Sequence, residues 1–227
     1  MPGKISGTEL RRQYSALAFT AFFVACLTVQ AKPPQTPPLD PTPPLVHDSH
    51  QGFDVAVNPY VSAEPSRTKF GKHTPYDGGF LAIDAYFRND NDLPVRINLR
   101  TVELRIGSPG QQRQRLDPVA PEDVADGTLL KKPRDPRLPR VGVTLPGSVP
   151  KSGRSKEWQE FADVLRSAEM STEVIPPHGT AHGVFYFDIN NQFGLVSGAS
   201  FVVSDLQFMT SKQGLLFFEV DLKNASH

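Results

Sequence analysis

Gly79–Ile106, GFLAIDAYFRNDNDLPVRINLRTVELRI, is the stretch on which the fold turns. Leu81, Ile83, Ala85 and Phe87 alternate with Ala82, Asp84, Tyr86 and Arg88. Successive side chains of a strand point to opposite faces, so this pattern predicts a half-buried β-strand. Asn89, Asp90, Asn91 and Asp92 follow, residues that bond their own main chain and tolerate left-handed backbone. Pro94 opens a second run, in which Val95, Ile97 and Leu99 alternate with Arg96, Asn98 and Arg100. The two runs read as a hairpin. Beyond Thr101 the apolar set becomes Val102, Leu104 and Ile106, so the parity changes. A one-residue slip would send this set to solvent. A β-bulge near Arg100 and Thr101 is the preferred account, and a change of sheet there would serve equally.

The Asn-Asp run also invites a calcium loop. Counted from Asp90, Val95 stands where an EF-hand needs Gly, and Thr101 where it needs Glu. Turn chemistry is the better account.

Outward from this stretch, the chain of 227 residues fits one domain with appendages. Its formal charge is zero, and the first 25 residues carry Lys4, Arg11, Arg12 and Glu9. Without them 21 basic and 23 acidic side chains remain, which predicts no nucleic-acid partner. Lys4, Arg11 and Arg12 precede the uncharged run Tyr14 to Val29, the pattern of a secretory signal. The run is short for a membrane span of about 20 residues. The one cysteine, Cys26, ends Phe23-Val24-Ala25-Cys26, which resembles a bacterial lipobox. Cleavage after Ala31, following Val29-Gln30-Ala31, is the competing expectation, and a plain apolar role for Cys26 is a third. Lys32 to Val46 holds seven of the 22 prolines. Such a stretch favours polyproline II and makes a spacer of roughly 45 Å. His47, Asp48 and His50 end it as solvated tail residues rather than metal ligands.

Phe53 to Val61 reads as a first strand, at an edge or bent at Pro59, and residues 62–78 as a loop. Residues 107–170 form an insertion. Its first part, to Arg154, is rich in Pro, Gly, Arg and Asp, and so long a loop is functional or disordered. Lys131, Lys132, Arg134, Arg137 and Arg140 make a basic run that could meet an anionic envelope polymer or an envelope protein, or be solvated beside Glu122, Asp123 and Asp126. Ser155 to Met170 predicts one helix, capped by Ser155, with Trp158, Phe161, Ala162 and Leu165 as its apolar stripe. Further strands are expected at Thr172–Pro177, Thr180–Ile189 (a central strand, apolar on both faces), Ala199–Leu206 and Leu215–Leu222.

His178 and His182 are candidate catalytic or zinc residues by their spacing of four. Pro176, Pro177 and Gly179 disfavour a helix there, and in a strand they would lie ~13 Å apart. No G-x-S-x-G elbow, P-loop or G-x-G-x-x-G occurs. The expectation is therefore no catalysis, no cofactor and no metal, with an extracytoplasmic hydrolase using His178 or His182 as the alternative.

Many short alternating strands predict a mainly β, antiparallel sandwich of about seven strands with one inserted helix and a long loop. The pattern FRNDNDLPVRINLRTVELRIG resembles that of small immunoglobulin-like domains in bacterial envelope proteins. The resemblance covers this stretch and the last three strands. It implies an immunoglobulin-like sandwich but brings no functional residues, because the Cys…Trp…Cys pattern is missing. The expected organisation is a signal peptide over 1–25, a Pro-rich linker over 26–52, the sandwich over 53–222 with its insertion at 107–170, and a tail over 223–227. The expected role is that of an exported, lipid-anchored binding or scaffolding module.

Overall fold

The computed structural model describes residues 46–107, 113–130, 154–210, 214–215 and 217–225. Within them lie β1 (Val46–His50), β2 (Phe53–Tyr60), α1 (Ala63–Phe70), β3 (Phe80–Asn89), β4 (Val95–Ile97), β5 (Glu103–Ile106), β6 (Gln114–Leu116), α2 (Pro121–Leu129), α3 (Lys156–Ala168), β7 (Val174–Ile175), β8 (Thr180–Asp188), β9 (Ser200–Val203), β10 (Leu206–Phe208) and β11 (Phe218–Asp221). The fold is mainly antiparallel β. The strands form three sheets, ordered β1-β2-β3-β8, β10-β4-β7 and β11-β9-β5-β6. The described residues thus hold eleven strands and three α-helices, more of each than the sequence pattern suggested.

β3 is the spine. It pairs with β2 on one side, Ile83 opposite Pro59, and with β8 on the other, Ile83 opposite Phe185. The predicted alternation holds: Leu81, Ile83, Ala85 and Phe87 face one core. There they join Phe53, Val55, Val57, Phe185 and Phe187 of their own sheet and Val95, Ile97, Leu104, Phe201, Val203 and Val220 of the other two. Each such side chain is worth about 1.5–3 kcal/mol when fully buried. The opposite face is not half-solvated as expected. Phe80, Ala82, Val184 and Tyr186 pack there against Phe70 of α1, Val124 and Ala125 of α2, and Trp158, Phe161, Ala162 and Leu165 of α3. The main sheet is therefore the middle of three layers, with the helices on one side and the two smaller sheets on the other. Small Ala82 lets the helices approach, which alternation by itself does not reveal.

The hairpin expectation is corrected by the corner at Asn89. β3 and β4 belong to different sheets. Asn89 is fully buried. Its Nδ2 donates to the carbonyls of Leu93 at 2.9 Å, Ile175 at 3.3 Å and Pro176 at 3.1 Å, and its Oδ1 accepts from the backbone N–H of Asn91 at 3.1 Å. Asn91 Nδ2 in turn donates to the carbonyls of Gln51 and Gly52 in the β1–β2 turn. The Asx residues thus lead the chain from one layer into the next. The parity change has the second of its two explanations. A 3₁₀ turn, Leu99–Thr101, separates β4 in one small sheet from β5 in the other, so the bulge is not needed. Asn98 caps that turn by accepting from the N–H of Arg100, and Thr101 Oγ1 donates to the carbonyl of Ser204.

Three further expectations change. Val46–His50, placed at the end of the spacer, is the edge strand β1, with Val46 opposite Val57. Residues 62–78, read as a loop, hold α1, with Glu64 in its first turn and Arg67 and Lys69 in its last, as the helix dipole favours. The insertion is partly regular, carrying β6 and α2, which opens on Pro121 followed by Glu122 and Asp123. The one predicted helix is α3, capped by Ser155 Oγ, which accepts from Trp158 N–H at 3.1 Å. No helix among the described residues is long and apolar enough to cross a membrane.

Candidate functional site: a cleft beside strand β8

β8 is an edge strand by its pairing, not a central one. Two irregular segments cover its free edge. Val119 N–H donates to the carbonyl of Tyr186 at 2.8 Å, and Met170 N–H to that of Val184 at 3.1 Å. The second approach depends on Gly183, where a Cβ would lie 2.5 Å from Met170 Cα. Between these segments and the Leu99–Thr101 turn opens a cleft of about 400 Å³. Val184, Phe185 and Tyr186 form its floor, Leu99, Pro118, Val119 and Met170 its apolar walls, and Arg100, Asp117 and Glu169 its polar groups.

The three polar groups differ in state. Arg100 is exposed, and its guanidinium has no partner among the described residues. Asp117 accepts from Arg115 Nε at 3.3 Å. Burial lifts the Glu169 carboxyl above the ordinary carboxylate range; Glu122 pushes the same way, and Arg166 opposes both. Glu169 is also the C-cap of α3, where the carbonyl end of the helix disfavours negative charge. Tyr186 lies on the floor, but its hydroxyl donates to the carbonyl of Leu165 at 2.9 Å, and burial pushes the phenol upward. It is a structural donor, not a nucleophile.

The other buried charges are tied to neighbours. Asp84, 1% exposed, accepts from Lys69 Nζ at 2.7 Å, with the hydroxyls of Tyr60 and Tyr86 at 3.5 and 3.4 Å. These contacts all meet Oδ2, while Oδ1 has no hydrogen-bond partner. The pair fastens α1 to β3. Burial, then the Asp84 charge, drives the Tyr60 phenol upward. Glu103 is held by Arg105 Nε at 2.6 Å and Arg115 Nε at 2.5 Å. Asp126 accepts from Trp158 Nε1 at 2.9 Å and from Arg154, whose guanidinium lies 3.8 Å over the Trp158 ring. This knot joins α2 to α3.

The residues singled out from the sequence lie elsewhere. His178, at φ 52°, sits on the Asn89 corner with Nε2 3.0 Å from Asp92 Oδ1, both side chains exposed. His182 is on β8 with its ring stacked on Tyr86 at 5.6 Å. They have different partners, and neither lines the cleft. His47, Asp48 and His50 are not tail residues. His47 Nδ1 is 3.1 Å from Asp54, Asp48 Oδ2 accepts from Glu219 N–H at 3.1 Å, and the His50 ring stacks on Phe218 at 3.9 Å. Cys26 and the basic run Lys131, Lys132, Arg134, Arg137 and Arg140 lie outside the described residues. Among the described residues no three His, Cys, Asp or Glu side chains gather as metal ligands.

Arg100, Asp117 and Glu169 escaped the sequence reading because each stands in a different segment and none belongs to a motif. A faint signal existed for Glu169, an acid at the unfavourable end of a predicted helix. In comparison with known proteins, the chain matches no family model, no curated protein and no solved structure.

Proposed function

We propose that this chain is an exported envelope protein, anchored through a lipidated Cys26, whose sandwich acts as a binding module of the immunoglobulin-like kind. One observation carries the binding part. The charges buried in the layers are tied in pairs, whereas Arg100 at the cleft presents a guanidinium with no partner among the described residues. An unpaired guanidinium offers a planar fork of donors that matches an anionic group such as a carboxylate. The exported location rests on the sequence alone: Lys4, Arg11 and Arg12 before the apolar run, the lipobox-like residues up to Cys26, and the Pro-rich spacer.

Two experiments test this. Mass spectrometry of the mature N-terminus should find a diacylglyceryl-modified Cys26; an unmodified chain beginning at Lys32 removes the anchor. Capture of envelope components by the mature protein should fall on Arg100→Ala, and on replacing the run from Lys131 to Arg140 by a Gly-Ser linker, with thermal stability unchanged in both. The second loss should be the more salt-sensitive, since it removes five basic side chains rather than one and charge interactions are screened beyond about 8 Å at physiological ionic strength. Hydrolysis of an ester, glycoside or peptide substrate that vanishes on His178→Ala or His182→Ala would overturn the binding-module reading in favour of an enzyme.

A further inference from the structure

We infer that the cleft beside β8 binds a small zwitterion with an apolar body, the chemistry of a free dipeptide, taking its carboxylate on Arg100 and its ammonium between Glu169 and Asp117. The inference rests on the binding-module reading and names the ligand class for that site.

Size comes first. A concavity of about 400 Å³ is at the small end of ligand pockets, which run from roughly 300 to 1,000 Å³, and suits one small molecule rather than a polymer or a folded partner. Lining comes next. Leu99, Pro118, Val119 and Met170 line the cleft with hydrocarbon, so the ligand has an apolar middle. Charge then decides the ends. The cleft is lined by one arginine, Arg100, and two acidic residues, Asp117 and Glu169. A phosphate or other dianion taken by Arg100 would share the cleft with two acidic residues, and a purely cationic ligand would share it with Arg100. A molecule with a charge of each sign at opposite ends meets both demands.

The main chain narrows the choice further. The Val119 and Met170 N–H groups are donated to β8, so neither is left to cradle an anion. Carboxylate recognition falls to the planar fork of Arg100, whose geometry matches a carboxylate bidentately. Glu169 is the better ammonium acceptor of the two carboxyls, being less exposed than Asp117, which Arg115 already engages. The charged groups that act on Glu169 from neighbouring elements are Glu122 of α2 and Arg166 of α3.

Isothermal titration of the full mature protein with leucyl-leucine, its N-acetyl form, its C-terminal amide, the doubly blocked dipeptide and inorganic phosphate tests the inference. The free dipeptide should bind, and blocking either end should weaken it by about tenfold to a hundredfold, the worth of one charge-assisted hydrogen bond. Arg100→Ala should weaken the free dipeptide but leave the amide unchanged. Glu169→Gln should weaken the free dipeptide but leave the N-acetyl form unchanged. Arg100 is exposed, so its variant keeps its fold, which an unchanged melting temperature verifies. Equal binding of free and doubly blocked dipeptide, no binding of the free dipeptide, or tighter binding of inorganic phosphate each overturns the inference. If the dipeptide fails while Arg100-dependent capture of envelope components persists, the ligand class is wrong and the binding module stands.

Discussion

The carboxamide of Asn89 donates to the carbonyl of Pro176 at 3.1 Å, across 87 positions of sequence. The same Nδ2 serves Ile175 and Leu93, so one buried side chain holds the exit of β3, the entry of β4 and the end of β7. Asn89→Ala leaves these carbonyls without their donor in a dry site and should destabilise the domain by about 2–4 kcal/mol. Urea unfolding measures this directly, and a midpoint equal to that of the parent would remove Asn89 from its central place.

Lys69 and Asp84 form the second test. Lys69→Met leaves a carboxylate buried without its cation. One-third of Lys69 is exposed, so the loss should fall near or below the lower end of the range for buried pairs, about 2–3 kcal/mol. Asp84→Asn in the same chain should recover part of it. A double-mutant cycle with zero coupling energy would mean that the Lys69–Asp84 pair does not help to hold α1.

For Glu169 the sign follows from its raised value. The folded state prefers the protonated acid, so this group costs no stability below the ordinary carboxylate range. The penalty grows as pH rises from that range through the folded value, then stays constant. Glu169→Gln should therefore raise the melting temperature at neutral pH and change it little in strong acid. A gain that is the same at every pH would contradict burial of the carboxyl.

Gly183→Ala probes the cleft wall. The new Cβ would fall 2.5 Å from Met170 Cα and 2.7 Å from its nitrogen, both backbone atoms that cannot step aside cheaply. Overpacking of this kind typically costs about 1–3 kcal/mol. Calorimetry should record the fall, and hydrogen exchange should find the Met170 amide less protected than in the parent. Unaltered protection would place the wall's rigidity elsewhere.

The parts legible in the sequence were those with local period. Leu81 to Phe87 announced β3, Phe185 and Phe187 announced β8, and the Ser155 cap with the Trp158 stripe announced α3 within a residue or two. What alternation cannot say is what covers each face. The side of β3 bearing Asp84 and Tyr86 reads as wet, and three helices lie over it. Sheet membership was hidden for a related reason. An Asn-Asp run suits a hairpin and a corner alike, and the difference lies with Ile175 and Pro176, far along the chain. α1 was obscured by Pro65, which a first helical turn tolerates. The cleft was illegible because Arg100, Asp117 and Glu169 come together only after three sheets have formed.

β1 bears on how the molecule answers to force. The described chain enters at Val46, and the pairs with β2 run from Val46–Val57 to His50–Phe53 at the turn. Tension applied from the N-terminal side loads these pairs one after another, as in a zipper, rather than all together in shear. The Asp48–Glu219 bond is met at the third pair and the His50–Phe218 stack at the fifth, two catches in series. Once both let go, β1 peels away while β2, β3 and β8 keep their ladder, and the uncovered edge of β2 becomes a free strand edge. A molecule pulled from that end yields first at a hinge of five residues and exposes a surface it does not show at rest.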